Sequence, residues 1–420
     1  MRRLVATCRI LPAYGMSATV AVPRAEPAVM RRFFELDLLD NRYPALHGMR
    51  FLAIASIVQY HVTMNFKYTR PLPIDDGWSA LSLNVFFGMD LFFVLSGFLI
   101  GSILLRSVET SGTANVRRFY LRRAFRTFPA YYLVLTLLAV LLPLTDAQHR
   151  HLWLEYVYLT NYGKPLIPGQ LVMPWGWSLA LEEQFYLAVP FLFLLLYKFR
   201  TDRARLTLIG GLWIGALLVR VVLYLTHPGW DEVARYNYLY YPTHTRADTL
   251  MAGIALAYVQ HRWRAPIARW LESPFSRALL HLTALACVWL LMQPYKFGLK
   301  AIGIMQVLSW GTLTSIMYFA WTLLLLNGGG GWVQRALSLP FFRKVATLGY
   351  GVYLVHLPIC GMIVSRVAGV LVLQHGWPMP VVWPASVVSL LALSLVASYG
   401  LHVFVEKPFL RIRDRLQGWT

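Results

Sequence analysis

Apolar residues occur in long runs along this chain, and short polar stretches separate the runs. A transmembrane helix needs about 17 to 25 predominantly apolar residues. With that length as the guide, the pattern predicts an all-α, polytopic membrane bundle of about ten transmembrane helices. The predicted spans are residues 45–66, 81–105, 128–144, 184–198, 206–226, 246–260, 277–293, 301–326, 346–373 and 380–405.

Composition excludes an ordinary soluble protein. Of the 420 residues, 57% are hydrophobic and 14% are charged, whereas soluble domains carry about 25% charged residues. The mean hydropathy of +0.52 agrees. An aromatic content of 15% and three cysteines also argue against a disordered chain and against a disulfide-rich secreted scaffold. We therefore expect the lipid bilayer to be the solvent of this chain.

Positive charge is distributed unevenly and predicts the orientation. The net charge of +20 would suggest nucleic acid in a soluble protein. Here the basic residues cluster between spans, and a cytoplasmic N-terminus places 28 of the 39 Lys and Arg residues in cytoplasmic segments. This is the bias that the positive-inside rule requires. We predict that both termini are cytoplasmic and that nucleic acid is not a partner.

We interpret the chain as three regions. Residues 1–42 are interpreted as a basic cytoplasmic arm, 43–408 as the transmembrane domain and 409–420 as a basic cytoplasmic tail. The first forty residues also resemble a poor signal peptide. Cleavage there would remove the cytoplasmic N-terminus that the charge pattern requires, so we favour a basic arm on the anionic inner leaflet.

Two polar residues share one face of the first span. A charged side chain is costly at membrane depth and therefore marks a candidate functional site. Arg50 and His61 are 11 residues apart, which at about 100° and 1.5 Å per residue places them on one face, about 16 Å apart along the axis. The alternatives are an arginine that reaches lipid headgroups and a histidine that bonds a neighbouring helix.

The second span carries one carboxylate, Asp90, among apolar residues. Neutral His61 is a candidate partner, because a carboxylate that fixes the imidazole tautomer leaves the other ring nitrogen free to act as a base. A protonated or capped Asp90 is the alternative. Ser96 and Gly97 favour a close helix contact over a serine nucleophile, since no base is visibly supplied to the serine.

Arginines cluster in the predicted cytoplasmic segment between the second and third spans. Their planar forks suit bidentate contacts to phosphate, so the cluster indicates a polyphosphate ligand on the cytoplasmic side. Anionic lipid is the alternative ligand. The cluster comprises Arg106, Arg117, Arg118, Arg122, Arg123 and Arg126.

Acidic and aromatic residues gather on the predicted outer side. Trp177 and Ser178 precede Glu182 and Glu183, which point about 100° apart on a helix, so one of them can face the bundle. Four tyrosines in the next outer loop suit either sugar stacking or an interfacial aromatic belt. These tyrosines are Tyr236, Tyr238, Tyr240 and Tyr241. No cluster has metal-ligand spacing, and we predict no metal site.

Taken in order, these motifs resemble the acyltransferase-3 family of multipass bacterial membrane O-acyltransferases, over roughly residues 43–408. The matching residues are Arg50 and His61, Gly88-Met89-Asp90, Phe93-Val94-Leu95-Ser96-Gly97-Phe98, Arg123-Ala124-Phe125-Arg126, Trp177-Ser178-Leu179 with Glu182, Arg246-Ala247-Asp248 with Gly253, Tyr350-Gly351-Val352-Tyr353-Leu354 with His356, and Glu406-Lys407-Pro408. Each motif is weak alone, but the ordered set is very specific. One departure is His47, where many members carry an aspartate.

The resemblance implies ten core helices in a bacterial inner membrane, with an acyl-CoA donor on the cytoplasmic side and an acceptor hydroxyl near the outer face. Acyl-CoA, with acetyl-CoA favoured by family frequency, is a co-substrate, and no tightly bound cofactor is implied. Arg123 and Arg126 would hold donor phosphates, Arg50 would place the pantetheine arm, and His61 would be the essential catalytic residue. Further implied site residues are Asp90 and Glu182 as catalytic groups, and Trp177, Ser178, Arg246, Asp248, Tyr353 and His356 at the acceptor pocket.

Transfer of an acyl group from a thioester to an alcohol needs a base for the hydroxyl, stabilisation of the oxyanion and a proton for the thiolate. Neutral His61 can supply the base, and both direct transfer and an acyl-histidine intermediate are open. A transporter or flippase of a glycan or small solute is the alternative class, because buried charges also mark translocation paths. The acceptor, a carbohydrate-type or secreted molecule of the envelope, is left open among polysaccharide, lipopolysaccharide, Nod-factor-like oligosaccharide and macrolide.

Overall fold

The computed structural model describes residues 34–69, 71–83, 87–112, 115–292 and 307–417. The predicted basic arm up to residue 33 and residues 301–306 of the eighth predicted span lie outside the described residues. Within the described ranges the chain is helical, with short connections. The helices, in chain order, are α1 Pro44–Met64, α2 Asp76–Leu83, α3 Gly88–Ser111, α4 Val116–Leu141, α5 Asp146–Tyr156, α6 Thr160–Leu166, α7 Trp177–Leu196, α8 Asp202–Thr226, α9 Glu232–Tyr240, α10 Thr243–Arg262, α11 Arg264–Trp270, α12 Pro274–Leu291, α13 Thr314–Leu326, α14 Gly331–Leu337, α15 Pro340–Ile359, α16 Ser365–Leu373, α17 Met379–Leu401 and α18 Lys407–Gln417.

The long helices correspond one for one to the predicted spans. Within the described ranges, eight helical segments are long and apolar enough to cross a membrane. Helices α1 and α10, of 21 and 20 residues, are also long enough to cross a membrane but are not among those eight. Most residues of α10 are buried among other helices, so its polar side chains are shielded from lipid. The predicted helical membrane bundle is confirmed.

Several span boundaries differ from the prediction, including the second span, where the helix runs Gly88–Ser111 rather than 81–105. Helix α4 begins at Val116 rather than at residue 128, because the Asn115 side chain accepts a hydrogen bond from the Arg118 amide at 3.1 Å and caps the helix. Helix α7 begins at Trp177 rather than at residue 184, so Glu182 lies inside the helix. A search for apolar runs stops where charges appear, whereas long arginine side chains allow a helix to continue beyond the hydrocarbon.

Helices α3 and α10 approach closely at a pair of glycines. A Cβ atom on Gly97 would lie 2.2 Å from the Leu250 carbonyl oxygen, and one on Gly253 would lie 2.2 Å from the Val94 carbonyl oxygen. Any larger side chain would push the two helices apart, as in other small-residue contacts between membrane helices. The predicted close approach at Gly97 is confirmed.

Wide π-helical turns interrupt the long helices near their ends. Residues Cys360–Val364 join α15 to α16, and residues His402–Glu406 join α17 to α18. A third turn, Ser309–Leu313, precedes α13 and contains Gly311 at φ +126°. A Cβ atom on Gly311 would lie 2.2 Å from a carboxylate oxygen of Asp248, so glycine is required there both for its backbone conformation and for space.

Candidate functional site

Two cavities open inside the bundle. The larger has a volume of about 750 Å³, and we call it the arginine cavity after its basic lining. Apolar side chains of α3, including Leu95, Leu99 and Ile103, form one wall. Its basic lining residues are Arg50, Arg106, Arg118, Arg122, Arg123, Arg126 and Arg413. The arginines that the resemblance assigned to the donor therefore share one cavity with an apolar wall.

The charges in the arginine cavity favour an anion. Its lining includes two carboxylates, Asp40 and Glu182, against a majority of guanidinium groups. Arg123 lies over the Tyr186 ring at 5.0 Å, and the Tyr186 hydroxyl lies 2.7 Å from that of Ser96. Glu182 interacts electrostatically with Arg123 and Arg50, so it neutralises part of this charge. The remaining guanidinium groups suit phosphate oxygens.

The smaller cavity, of about 250 Å³, is the tyrosine cavity. Helix α1 contributes Tyr60 and His61 to it. Aromatic side chains supply most of the other walls. They are Trp175, Trp177, Tyr236, Tyr240, Tyr241 and Tyr353.

Three of the four tyrosines in the predicted outer loop line this cavity, whereas Tyr238 stacks on Trp230 at 4.9 Å and is 36% exposed. The sugar-stacking interpretation therefore gains support for those three tyrosines.

The two cavities adjoin. Met89 of α3 and Tyr353 of α15 line both of them. On α1, Arg50 lines the arginine cavity and His61 lines the tyrosine cavity. Arg50 and His61 therefore both face space inside the bundle, but they face different cavities. The contact between the two cavities lies between these two residues.

His61 forms a pair with His356. The His61 Nδ1 atom lies 3.0 Å from His356 Nε2 and 3.0 Å from the Ile57 carbonyl oxygen. The His356 Nδ1 atom lies 2.7 Å from the Tyr353 carbonyl oxygen. A carbonyl oxygen only accepts, so His356 Nδ1 carries a proton, and in the neutral ring His356 Nε2 is an acceptor. His61 Nδ1 then donates, which leaves His61 Nε2 unprotonated and able to act as a base.

The predicted pairing of Asp90 with His61 is wrong. Asp90 forms a buried ion pair with Arg246, and the Arg246 guanidinium lies 4.5 Å from the centre of the Tyr240 ring. The tautomer of His61 is therefore set by His356 and by the backbone of its own helix. The sequence could not show this, because Asp90 and Arg246 are brought together by the crossing of α3 and α10.

Arg246 and Asp248 lie behind the tyrosine cavity rather than in its lining. Asp248 pairs with Arg220 at 2.6 Å and accepts a hydrogen bond from Thr312 at 3.1 Å. Arg246 contacts the cavity through Tyr240. Arg246 and Asp248 therefore support the wall of the tyrosine cavity. Neither of these two described residues lines the arginine cavity or the tyrosine cavity.

Tyr353 lines both cavities, whereas Ser178, predicted for the acceptor pocket, lines the arginine cavity. The Tyr353 hydroxyl is 2.5 Å from the Trp175 carbonyl oxygen and 2.5 Å from the Ser178 hydroxyl. Tyr353 therefore donates to the carbonyl and accepts from Ser178. Trp177 packs against Tyr240 and Tyr241, with ring centroids 5.0 and 5.1 Å apart. These contacts hold the aromatic wall of the tyrosine cavity in place.

Several lining residues were not singled out by the sequence, among them Tyr60, Lys164 and Arg413. Tyr60 and Lys164 line the tyrosine cavity. Arg413, in the predicted basic tail, lies on α18 and lines the arginine cavity. No spacing signal identifies Tyr60 or Lys164, whereas the amphipathic pattern of α18 was readable. Across the described ranges, no group of three or more His, Cys, Asp or Glu residues is arranged to hold a metal ion.

The bundle of long apolar helices defines an integral membrane protein with two internal cavities. The model of a family described as an acyltransferase domain matches residues 43–399. The chain therefore belongs to the acyltransferase-3 family, and the resemblance noted from its motifs is confirmed.

Similar proteins with curated descriptions come from several bacteria. The chain is 27% identical over 399 residues to the peptidoglycan O-acetyltransferase OatA of Listeria monocytogenes. The matched stretch covers 87% of this chain and 55% of that protein. It is 29% identical over 404 residues to the YrhL protein of Bacillus subtilis, covering 90% of this chain and 56% of that protein. The chain thus spans about half the length of these relatives. No solved structure matches it.

Proposed function

We propose that this protein is a membrane O-acyltransferase that moves an acyl group, most simply acetyl, from acyl-CoA to a hydroxyl of a carbohydrate-type acceptor. The observation that carries the proposal is the pair of adjoining cavities, one lined by arginines and one by aromatic side chains and His61. The family and the relative named peptidoglycan O-acetyltransferase support it. A peptidoglycan-type glycan is accordingly the first acceptor to test.

The donor occupies the arginine cavity in this proposal. Arg123 and Arg126 bind its phosphates, since guanidinium groups form strong bidentate contacts with phosphate oxygens. The apolar wall of α3 and the Arg50 side chain accommodate the arm that carries the thioester. Glu182 orients Arg123 and Arg50, because it interacts electrostatically with both. The positive-inside bias supports a position of this cavity on the cytoplasmic side of the membrane, which we propose is a bacterial inner membrane.

The acceptor occupies the tyrosine cavity. His61 Nε2 takes the proton of the acceptor hydroxyl, and the oxygen attacks the thioester carbonyl carbon where the cavities adjoin. The tetrahedral intermediate collapses as the carbon–sulfur bond breaks, and the thiolate takes the proton back from His61. His356 holds His61 in the tautomer that this step requires. Direct transfer between the two bound substrates is the simplest route that this geometry supports.

The full-length protein in proteoliposomes tests the proposal. With radiolabelled acetyl-CoA and a peptidoglycan-type oligosaccharide, we expect acceptor-dependent release of CoA thiol and a labelled ester on the glycan. A matched preparation of H61A should release neither above background. Movement of intact oligosaccharide into the vesicles without thiol release would contradict the proposal and indicate transport instead.

A further inference from the structure

A half-buried lysine lines the tyrosine cavity. Lys164, on the short helix α6, lines the cavity, and its ammonium lies 4.7 Å from the centre of the Tyr241 ring. It interacts electrostatically with His61, which faces the same space. None of the described residues that line this cavity is Asp or Glu, and Lys164 forms no ion pair with a described residue. The cavity therefore carries an uncompensated positive charge.

The helix that carries Lys164 is held firmly. The Asn161 side chain donates to the Thr243 hydroxyl at 2.9 Å, and the Gln184 amide donates to the Asn161 side chain at 2.9 Å and to the Tyr158 carbonyl at 2.8 Å. These bonds tie α6 to α7 and α10. They fix the backbone of α6, so the Lys164 side chain starts from a fixed position at the cavity wall.

Lys164 remains charged at neutral pH. Burial lowers the pKa of its amine to about 8, which still leaves most of the population protonated at pH 7. Among the described residues, the ammonium has an aromatic ring as its partner but no carboxylate. An anionic group on a bound molecule would supply the missing partner.

The rest of the cavity indicates what kind of molecule carries that group. Flat aromatic faces line the walls, and they suit the C–H faces of a sugar ring. The volume of about 250 Å³ is below the roughly 300 to 1,000 Å³ of most small-molecule sites, so the cavity accommodates a small unit such as one sugar residue. The donor cavity meets the tyrosine cavity at Met89 and Tyr353. The Lys164 ammonium instead packs on Tyr241, so it lies beside the bound acceptor rather than beside the donor.

We propose that Lys164 is a specificity residue that binds a carboxylate of the acceptor, so that this cavity selects an acidic sugar. The inference rests on the proposed function, because it treats the tyrosine cavity as the acceptor site. It goes beyond that function by naming the charge of the acceptor and the side chain that recognises it.

A pair of acceptors that differ in one charge tests this inference. The probes are N-acetylglucosaminyl-N-acetylmuramic acid and the same disaccharide with its carboxylate converted to the primary amide. Equilibrium binding to the detergent-solubilised full chain is measured without donor, and KM and kcat with acetyl-CoA. We expect the wild type to bind the acid about 10-fold or more tightly than the amide, as a charge-assisted contact provides. In K164M this ratio should fall to about one, and in K164R it should be largely retained.

Controls separate recognition from other roles. R150M removes an exposed charge that does not line the cavity, so it should keep the wild-type ratio, and thermal stability of each variant checks folding. Equal binding of both disaccharides by the wild type would overturn the inference. A loss of kcat for both disaccharides in K164M, with the binding ratio kept, would overturn it as well and place Lys164 at the reacting oxygen. Charge-selective binding without acyl transfer would leave the Lys164 site standing and contradict the proposed function.

Discussion

The two cavities of this bundle differ in size, charge and stiffness, although α1 and α15 contribute to both. The arginine cavity is about three times larger, at about 750 against 250 Å³, and guanidinium groups from several helices line it. The tyrosine cavity has rigid aromatic walls, the His61 imidazole and one amine. Several flexible cationic side chains suit a large polyanion that is bound through its charge. Rigid walls with few polar groups suit the selective binding of a small molecule. In the proposed function, the arginine cavity therefore provides binding strength, and the tyrosine cavity provides the chemistry and the specificity.

Replacing His61 with alanine should have the largest effect on turnover. If the imidazole is the general base, kcat should fall by about 10² to 10⁴, the usual contribution of a positioned base. Acyl transfer to the glycan is measured with variant and wild type matched for membrane abundance. Retained transfer would remove His61 from catalysis and leave the tyrosine cavity without its proposed chemistry.

Replacing Asp90 with asparagine should affect stability, because the change leaves a buried arginine without its carboxylate. Removing one partner of a buried ion pair costs about 3 to 5 kcal/mol, so D90N should lower the thermal midpoint markedly. The double variant D90L with R246M removes both charges and should recover part of that loss. If D90N were as stable as the wild type, the wall behind Tyr240 would not depend on this pair.

Replacing Arg123 with glutamine should weaken donor binding. Losing one charge-assisted contact to phosphate should raise the KM for acyl-CoA by about 10- to 100-fold, with a smaller change in kcat. Arg117 provides the matched control, since it is exposed on the same helix and does not line the arginine cavity. Equal effects of R117Q and R123Q would favour general attraction of the donor to a basic surface.

Replacing His356 with phenylalanine should lower kcat by about 10-fold, because His61 loses the acceptor that favours its Nδ1–H tautomer, while the Ile57 carbonyl still favours it in part. The KM for donor should change little, since His356 does not line the arginine cavity. H356Q retains an acceptor and should recover part of the activity. An unchanged kcat in H356F would show that the helix backbone alone orients His61.

The smallest expected effect is on the pH dependence of acceptor binding, which should distinguish the tyrosine cavity from the arginine cavity. The Lys164 ammonium is present below its pKa of about 8 and is lost as the pH rises through that value, so the KM for an acidic acceptor should rise a few-fold between pH 7 and pH 9. Tyr236, Tyr240 and Tyr241 face the same space, and burial raises their pKa values above the usual range, so they stay neutral. Because His61 also faces this cavity, K164R is the control, and its guanidinium should abolish the rise.

The membrane fold and several candidate residues followed from local pattern. Apolar run lengths predicted the spans, and the 11-residue spacing placed Arg50 and His61 on one face of α1, because both depend on helix geometry alone. The clustering of arginines predicted an anion site, and the α4 arginines Arg118, Arg122, Arg123 and Arg126 line one cavity. The position of each residue along one helix is a property of that helix, so sequence suffices for it.

Partners across helices were decided by the tertiary structure. Asp90 was predicted to face His61 but pairs with Arg246, since the glycines at positions 97 and 253 let α3 and α10 cross closely. The pairing of His61 with His356 and the placement of Lys164 over Tyr241 likewise join residues far apart in the chain. Which side chains meet depends on how whole helices pack, and helix spacing within one segment carries no information about that choice.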